Sequence, residues 1–255
     1  MTAVYDKKDK YKLLDEVGFR DHFQAETWPE FNRQFFDGLA PKYDALNEVL
    51  SLGQHHRIKE TAIRRIHIQS GQRILDLCTG SGDVAIWIAK NFPGCEVIGG
   101  DVSQKMLEIA KRRGAGLKNL QFQTADCMQL PFEDASFDTV IVSFGLRNLD
   151  DLKAGLLEMK RVVKPGGLVM NLDLGRPKNK FLQWVHTVYF RKFVPFLGKH
   201  IFHRGEFNSF AYLPTSGKYF PDQRALAEIF KELGFRDVRC HDYMLGSIAQ
   251  QIASV

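Results

Sequence analysis

No apolar run in the 255 residues approaches the ~18 needed to cross a bilayer, so no membrane-spanning helix is expected. The opening residues, MTAVYDKKDKYK, lack the apolar stretch of a secretory leader. Cysteine is sparse: Cys78, Cys95, Cys127 and Cys240 lie scattered, with no pair at metal or redox spacing. That predicts four reduced thiols, a cytoplasmic setting and no bound metal. Acid is nearly missing from one stretch. Residues 176–220 hold eight Lys/Arg against the single acid Glu206, together with twelve of the thirty aromatic residues. The net charge of the whole chain is only +5, so this basic, aromatic character is local and marks an interacting surface. Internal repeats and low-complexity tracts are also absent.

What is present is an alternation of strand-length apolar runs with helical segments. The runs are Arg73–Leu77, Glu96–Gly100, Leu120–Thr124, Asp138–Phe144 and Leu168–Leu174. Helical spacing occupies Asp83–Asn91, Ser103–Arg113 and Asp151–Val163 between them. Such alternation predicts an α/β, doubly wound, mostly parallel sheet covered on both faces. Residues 176–220 interrupt the pattern as a helical insertion after strand five. A helix over Asp222–Leu233 follows, then two strands, Arg236–Tyr243 and Ser247–Val255, close enough to pair as a hairpin. Ahead of the sheet, residues 1–70 read as a polar arm and a helical lid, with Phe31, Phe35, Phe36 and Leu39 at helical spacing and a break at Pro41. The expected division is therefore a lid over 1–70 and a cofactor-binding domain over 71–255.

The central motif is Leu75-Asp76-Leu77-Cys78-Thr79-Gly80-Ser81-Gly82-Asp83: a strand end, a glycine turn and a helix start. Glycines there let a ligand approach backbone at a helix N-terminus, and Asp101, at the end of the next strand, is placed to accept both ribose hydroxyls of an adenosine. Gly80-x-Gly82-x-x-Ala85 also satisfies the dinucleotide spacing, which by itself is a weak signal. Asp76 shifts the reading to S-adenosylmethionine, because a carboxylate before the turn can meet an ammonium group but would face a pyrophosphate badly. Asp126-Cys127 after the third strand is placed at the adenine. The alternative is that Asp76 and Asp101 merely cap turns.

At this point the chain resembles the ubiquinone/menaquinone biosynthesis C-methyltransferases, a family of class I S-adenosylmethionine-dependent enzymes with a Rossmann-like seven-stranded sheet whose last strand is antiparallel. The resemblance rests on Tyr43-Asp44-Ala45-Leu46-Asn47 with Leu50-Ser51-Leu52-Gly53-Gln54-His55, on Ser143-Phe144-Gly145-Leu146-Arg147-Asn148, on Arg161-Val162-Val163-Lys164-Pro165-Gly166-Gly167, and on Tyr212-Leu213-Pro214-x-Ser216 with Phe220-Pro221. Three positions depart from the family pattern: Ile58 replaces a tryptophan, and Asp173-Leu174-Gly175 replaces Glu-x-Ser. The resemblance implies cofactor contacts at Ser81, Asp101, Asp126, Cys127 and Ser143, and a lipophilic quinol as methyl acceptor, of either the menaquinone or the ubiquinone pathway.

Carbon methylation needs an electron-rich ring, which a hydroquinone provides once a hydroxyl loses its proton. Arg147 is the first candidate to stabilise that phenolate, the alternative being a surface pair with Asp150 or Asp151. His55 is a candidate base. Tyr43 and Asn47, four apart on a helix, are candidates to line the acceptor pocket, and Asp173 to bind a quinol hydroxyl. A nucleic-acid methyltransferase is disfavoured because Ser143-Phe144-Gly145-Leu146 stands where an Asn/Asp-Pro-Pro-aromatic loop belongs, so no nucleic-acid partner is expected. A nicotinamide oxidoreductase and a non-catalytic lipid-binding module remain as rivals. Within 176–220, Phe181, Trp184, Val185, Val188 and Tyr189 recur at helical spacing, followed by Arg191, Lys192, Phe193, Phe196 and Leu197. Such a face suits peripheral contact with the inner surface of an anionic bilayer.

Overall fold

A computed structural model describes residues 25–51, 53–189, 196 and 212–255. The N-terminal arm before residue 25, and Arg191, Lys192, Phe193 and Leu197 of the insertion, lie outside the described residues.

The strands are β1 (Arg73–Leu77), β2 (Glu96–Asp101), β3 (Leu120–Thr124), β4 (Phe137–Ser143), β5 (Val163–Leu174), β6 (Arg236–Tyr243) and β7 (Ile248–Ser254). They form a seven-stranded sheet in the order β3-β2-β1-β4-β5-β7-β6. The first five are parallel, and β7 runs antiparallel to both β5 and β6. This is the doubly wound sheet that the alternation predicts, with the antiparallel last strand that the family resemblance implies. Its central strands are mainly apolar, as strands covered on both faces are: Ile74, Leu75, Leu77, Val140, Ile141 and Val142 are fully buried.

The helices among the described residues are α1 (Trp28–Leu39), α2 (Tyr43–Leu50), α3 (His55–Arg64), α4 (Asp83–Asn91), α5 (Gln104–Arg113), α6 (Leu152–Val162), α7 (Lys180–Val188), α8 (Tyr212–Tyr219) and α9 (Gln223–Glu232). Several start one residue later than the sequence pattern suggests, because the first residue of the pattern is the cap. Ser103, Asp151 and Asp222 each accept backbone N–H bonds from the first turn of the helix that follows. Strand β5 starts five residues before Leu168, with an irregularity between Val163 and Leu168 where Gly166 takes φ +80 and the register against β4 shifts; a Cβ on Gly167 would lie 2.7 Å from the Asp138 carbonyl.

One apolar layer joins β1, β4 and β5 to α6 and α9 through Leu152, Leu156, Leu226 and Phe230. The opposite layer packs Ile58, Ala62 and Ile63 of α3 and Val84 and Ile88 of α4 on Ile74, Ile141 and Met170. Ile58 thus fills core space where the family pattern has tryptophan. A third cluster stands apart: Trp28, Phe31, Phe35, Leu39 and Leu46 gather around Tyr212, with the Phe35 and Tyr212 rings 4.4 Å apart. It joins α1, α2 and α8 into a cap. The cap is fastened to the turn after β4, where Trp28 Nε1 donates to the Asn148 carbonyl at 2.6 Å and the Asn32 amide donates to the same oxygen. The chain leaves β1 in one direction across the sheet and β4 in the other, so the crevice of an open α/β sheet opens between their C-terminal ends. The cap roofs that crevice.

Candidate active site

Two cavities meet beneath the cap. The first, of about 300 Å³, is lined by Gly80 and Cys78 after β1, Asp101 and Val102 after β2, Asp126, Cys127 and Met128 after β3, and Pro29, Asn32 and Arg33 of α1. Asp101 organises it. Its two carboxylate oxygens accept from Gly80 N at 2.8 Å and Ser103 N at 2.9 Å. Each oxygen keeps a lone pair for a further donor. Burial raises the Asp101 pKa, so the group gains from any donor that favours its charged form. Asp126 accepts from Met128 N at 2.9 Å, which fixes the turn carrying Cys127. The Cys127 thiol is buried and lies 3.5 Å from the Cys78 thiol. That contact, with burial, holds Cys78 well above its usual pKa, so its sulfur sits as a packed thiol rather than a nucleophile. Cys78 itself has φ +52, the left-handed conformation that favours the glycine standing there in many methyltransferases.

Four of the sequence candidates lie behind this wall, outside the cavity lining. Asp76 is buried, and its Oδ2 accepts from the Thr79 hydroxyl at 2.6 Å and Ala85 N at 3.2 Å. Burial pushes its pKa up to about 7. In this arrangement Asp76 braces the turn from below. Gly82 takes φ +88, with Ile86, Ala110 and Phe122 at 3.0 Å from where a Cβ would be. Ser81 donates to Asp44 of α2 at 2.7 Å. The Ser143 hydroxyl is buried, with no hydrogen-bond partner among the described residues.

The second cavity, of about 280 Å³, is mostly apolar. Its walls include Leu39, Tyr43, Leu46 and Asn47 of the cap, Leu182, Val185 and Tyr189 at α7, and Met244 and Leu245 at the β6–β7 turn. Its polar groups are few, chiefly His55, Lys59, Arg147 and Asn47. Phe36, Tyr43 and Phe144 line both cavities, so these three rings form the shared wall. Phe144 is held at φ +58, a strained conformation for a large side chain, by its N–H bond to the Leu172 carbonyl. Tyr43 lays its ring over the turn, 3.5 Å from where a Gly80 Cβ would be.

His55 is 5% exposed. Its Nδ1 lies 3.1 Å from the Glu48 carboxylate and 3.2 Å from the Ser51 hydroxyl. Its Nε2 is buried without a hydrogen-bond partner among the described residues, the Asp83 carboxylate being 3.8 Å away. Burial, then Lys59 and His56, lower the pKa against the pull of Asp83 and Glu48. The ring is therefore neutral near pH 7, and the shorter Nδ1 contacts assign the proton to that nitrogen. This leaves the Nε2 lone pair available.

Arg147 pairs with Asp173 across the β4 and β5 ends, at 2.6 Å, and not with Asp150 or Asp151. Its Nη1 also donates to the Phe144 carbonyl at 2.8 Å, while its Nε is buried without a partner among the described residues. Burial alone would lower the guanidinium pKa, but Asp173 outweighs it and keeps the group charged. Asp173, at 1% exposure, lies outside both linings; beyond Arg147 Nη1 it accepts Leu174 N at 2.8 Å and Arg147 N at 3.3 Å.

The sequence reading missed a charged hub behind His55. Asp83 accepts from Lys59 at 3.0 Å and Arg113 at 2.7 Å, and Arg113 also reaches Asp44 at 3.2 Å and the Ser81 carbonyl at 3.0 Å. Burial would raise the Asp83 pKa, yet the two cations bring it down to about 2. Only the i, i+4 spacing of His55 and Lys59 signalled any part of this. Glu48, His55 and His56 also offer ligand atoms within 4.8 Å of one another, beside the Lys59 ammonium.

The chain matches the model of the ubiE/COQ5 methyltransferase family over residues 26–254. It is 35% identical to the demethylmenaquinone methyltransferase of Staphylococcus saprophyticus, across 85% of this chain and 93% of that one. It is 36% identical to the ubiquinone/menaquinone biosynthesis C-methyltransferase of Desulfotalea psychrophila, across 92% of this chain and 94% of that one. Among solved structures, a SAM-dependent methyltransferase from Aquifex aeolicus aligns with TM-score 0.58 at 19% identity over 82% of this chain and 97% of its own. The [4+2]-cyclase SpnF aligns with TM-score 0.61 at 18% identity over 90% and 97%, so the fold by itself does not fix the chemistry. The family match does: the chain belongs to the ubiE/COQ5 methyltransferase family and is an S-adenosylmethionine-dependent methyltransferase.

Proposed function

We propose that this chain methylates a ring carbon of a lipophilic quinol, with S-adenosylmethionine in the Asp101 cavity and the quinol in the His55–Arg147 cavity. The observation that carries the reading is the shared wall of Phe36, Tyr43 and Phe144, with adenosine-type acceptors on one side and an apolar chamber with few polar groups on the other. The names of the two curated relatives support a quinone nucleus as acceptor. The cofactor supplies an already activated sulfonium methyl, so the protein's task is position, a dry site and the acceptor's proton.

The residues present fit that cofactor. Asp101 would accept the ribose hydroxyls on its spare lone pairs, and Asp126 and the Cys127 backbone would meet the adenine, while Ser143, behind the wall, closes the end of β4 beside the site. Gly80, Ser81, Gly82 and Asp76 shape and brace the turn. In the second cavity, Nε2 of His55 accepts the quinol hydroxyl proton while Glu48 stabilises the resulting imidazolium through Nδ1. Arg147 is neutralised as a pair with Asp173, so it acts as a directional donor through Nε–H to the phenolate oxygen more than as a net charge. Asp173 holds that guanidinium in place. Tyr43 and Asn47 line the ring site. No step uses a metal or nucleic acid.

Among the described residues no helix is long and apolar enough to cross a membrane. Phe181 and Trp184 of α7 are 67% and 63% exposed, which supports peripheral contact of this helix with a bilayer. Mass spectrometry of quinones from cells lacking this protein tests the acceptor. A species one methyl short should accumulate; an unchanged quinone profile would overturn the reading.

A further inference from the structure

The 3-10 turn Met244–Gly246 between β6 and β7 is built against its own backbone preferences. Met244 has φ +46 and Leu245 φ +58, a conformation that glycine or asparagine adopts at little cost and branched apolar residues rarely take. Yet Leu245 is 74% exposed. A large apolar side chain on a strained turn, aimed at solvent, gains nothing from the fold and points to a partner.

The turn is not loose. A Cβ on Gly246 would lie 3.1 Å from Pro177 Cα, and one on Gly175 would lie 2.6 Å from the Gly246 carbonyl. The turn therefore packs backbone to backbone on the Gly175–Pro177 segment that leads into α7. This also accounts for Gly175 where the family pattern has serine, since no side chain fits. The turn and α7 stand as two lips of one mouth. Met244 and Leu245 on one lip, and Leu182 and Val185 on the other, line the acceptor cavity while Leu245, Met244 and Val185 are also exposed. Outside Leu182 and Val185, the rings of Phe181 and Trp184 stack with centroids 6.1 Å apart.

Among the described residues the charge around the mouth is mainly positive. Arg176, Lys178 and Lys180 are exposed on the α7 side, with no acid between Leu174 and Tyr189. Asp242, 3.5 Å from Lys178, is the acid found beside them.

We infer that the Met244–Leu245 turn is a second membrane-inserting lip, which with α7 seats the acceptor cavity's mouth on an anionic lipid bilayer and lets an apolar tail pass directly between lipid and cavity. This rests on the proposed lipophilic acceptor. Apolar side chains enter the headgroup boundary and the flanking basic residues meet lipid phosphates. An aqueous protein partner would have no need of a mouth continuous with the cavity.

The test is sedimentation of the full-length protein with phosphatidylglycerol vesicles and with phosphatidylcholine vesicles, at low and high salt. Wild type should bind phosphatidylglycerol vesicles, less so at high salt. Leu245→Gly removes the side chain and relieves the backbone, so it should not lower the melting temperature, yet should weaken vesicle binding by about tenfold, the scale expected of one buried leucine. The double variant Phe181→Ser, Trp184→Ser should weaken it at least as much. Wild type remaining in the supernatant, or Leu245→Gly sedimenting as fully as wild type, would overturn the inference. Methylation of a short-tailed hydroquinone in the absence of vesicles is read separately. Its failure strikes the acceptor assignment, whereas failure of Leu245→Gly to alter sedimentation strikes only the lip.

Discussion

The two cavities are made in different ways. The Asp101 side is written into strand ends: Gly80, Asp101, Asp126 and Cys127 each follow the C-terminus of a parallel strand within a few residues. The His55–Arg147 side is assembled from α1, α2, α3, the β4 end, α7, α8 and the β6–β7 turn, segments that meet only in the folded chain. The first side presents fixed carboxylates and backbone. The second is a largely apolar chamber whose lining includes His55 and Arg147, with His55 Nε2 and Arg147 Nε buried without a hydrogen-bond partner among the described residues. A buried polar atom without a partner costs free energy, and both residues line the cavity in which an acceptor hydroxyl would supply one. Binding and chemistry are thus separable by mutation.

The largest expected effect sharpens that separation. His55→Ala should lower turnover by about 10²–10⁴-fold, the usual range for loss of a general base, with cofactor affinity measured by calorimetry unchanged. Because the pKa of His55 is lowered, the acid limb of the wild-type rate should have its midpoint below 6.5. A wild-type limb at higher pH would exclude His55 as the base.

Asp173→Asn strips the charge from the Arg147 pair and leaves a buried guanidinium, at 9% exposure, without its counterion. A loss of about 3–5 kcal/mol of stability is expected by denaturant unfolding. Arg147→Ala, which also removes the donor, should depress turnover more than cofactor affinity. If Arg147→Ala instead binds cofactor poorly but turns over normally at saturation, the wall between the two cavities is not where the chemistry divides.

Asp101→Ala should do the reverse of His55→Ala. Cofactor affinity should fall by about 1.5–3 kcal/mol, the worth of hydrogen bonds to a charged group, while turnover at saturating cofactor changes far less. Equal affinity in a folded variant would remove Asp101 from the cofactor site.

The smallest effect concerns the hub shared by both sides. The Asp83 pKa is depressed to about 2, so its contribution is present above the ordinary carboxylate range and is lost as pH falls towards 2. Sign and size follow from linkage: about 2 kcal/mol lost across that interval. Asp83→Asn should flatten the acid limb of stability between pH 4 and 2 by about that amount. An unchanged limb would place the acid sensitivity elsewhere.

The contrast also explains what the sequence could convey. Strand–turn–helix grammar is local, so the parallel sheet, the closing hairpin and Asp101 at the end of β2 were legible from spacing and residue type, and the antiparallel last strand from the family resemblance. Asp76 was legible as a carboxylate before the turn, but the bonds that its Oδ2 accepts from Thr79 and Ala85 were not, since only the turn's geometry brings those partners in. Arg147 was expected beside Asp150 or Asp151, its sequence neighbours, whereas parallel pairing of β4 with β5 sets it on Asp173, 26 residues away. Glu48 reaches His55 because the chain turns back between α2 and α3. Met244 and Leu245 carried no periodic signal at all, since a left-handed turn of two apolar residues follows no propensity rule.

The account's central claim is that the second cavity holds a reduced ring made nucleophilic by loss of a proton to His55. The most direct measurement is mass spectrometry of product formed by the purified protein from S-adenosylmethionine and a demethylated quinone, supplied either fully reduced or fully oxidised under conditions that block its interconversion. The account predicts a product one methyl heavier from the quinol and none from the quinone, with the quinol product lost in His55→Ala. Equal product from both redox states would contradict it.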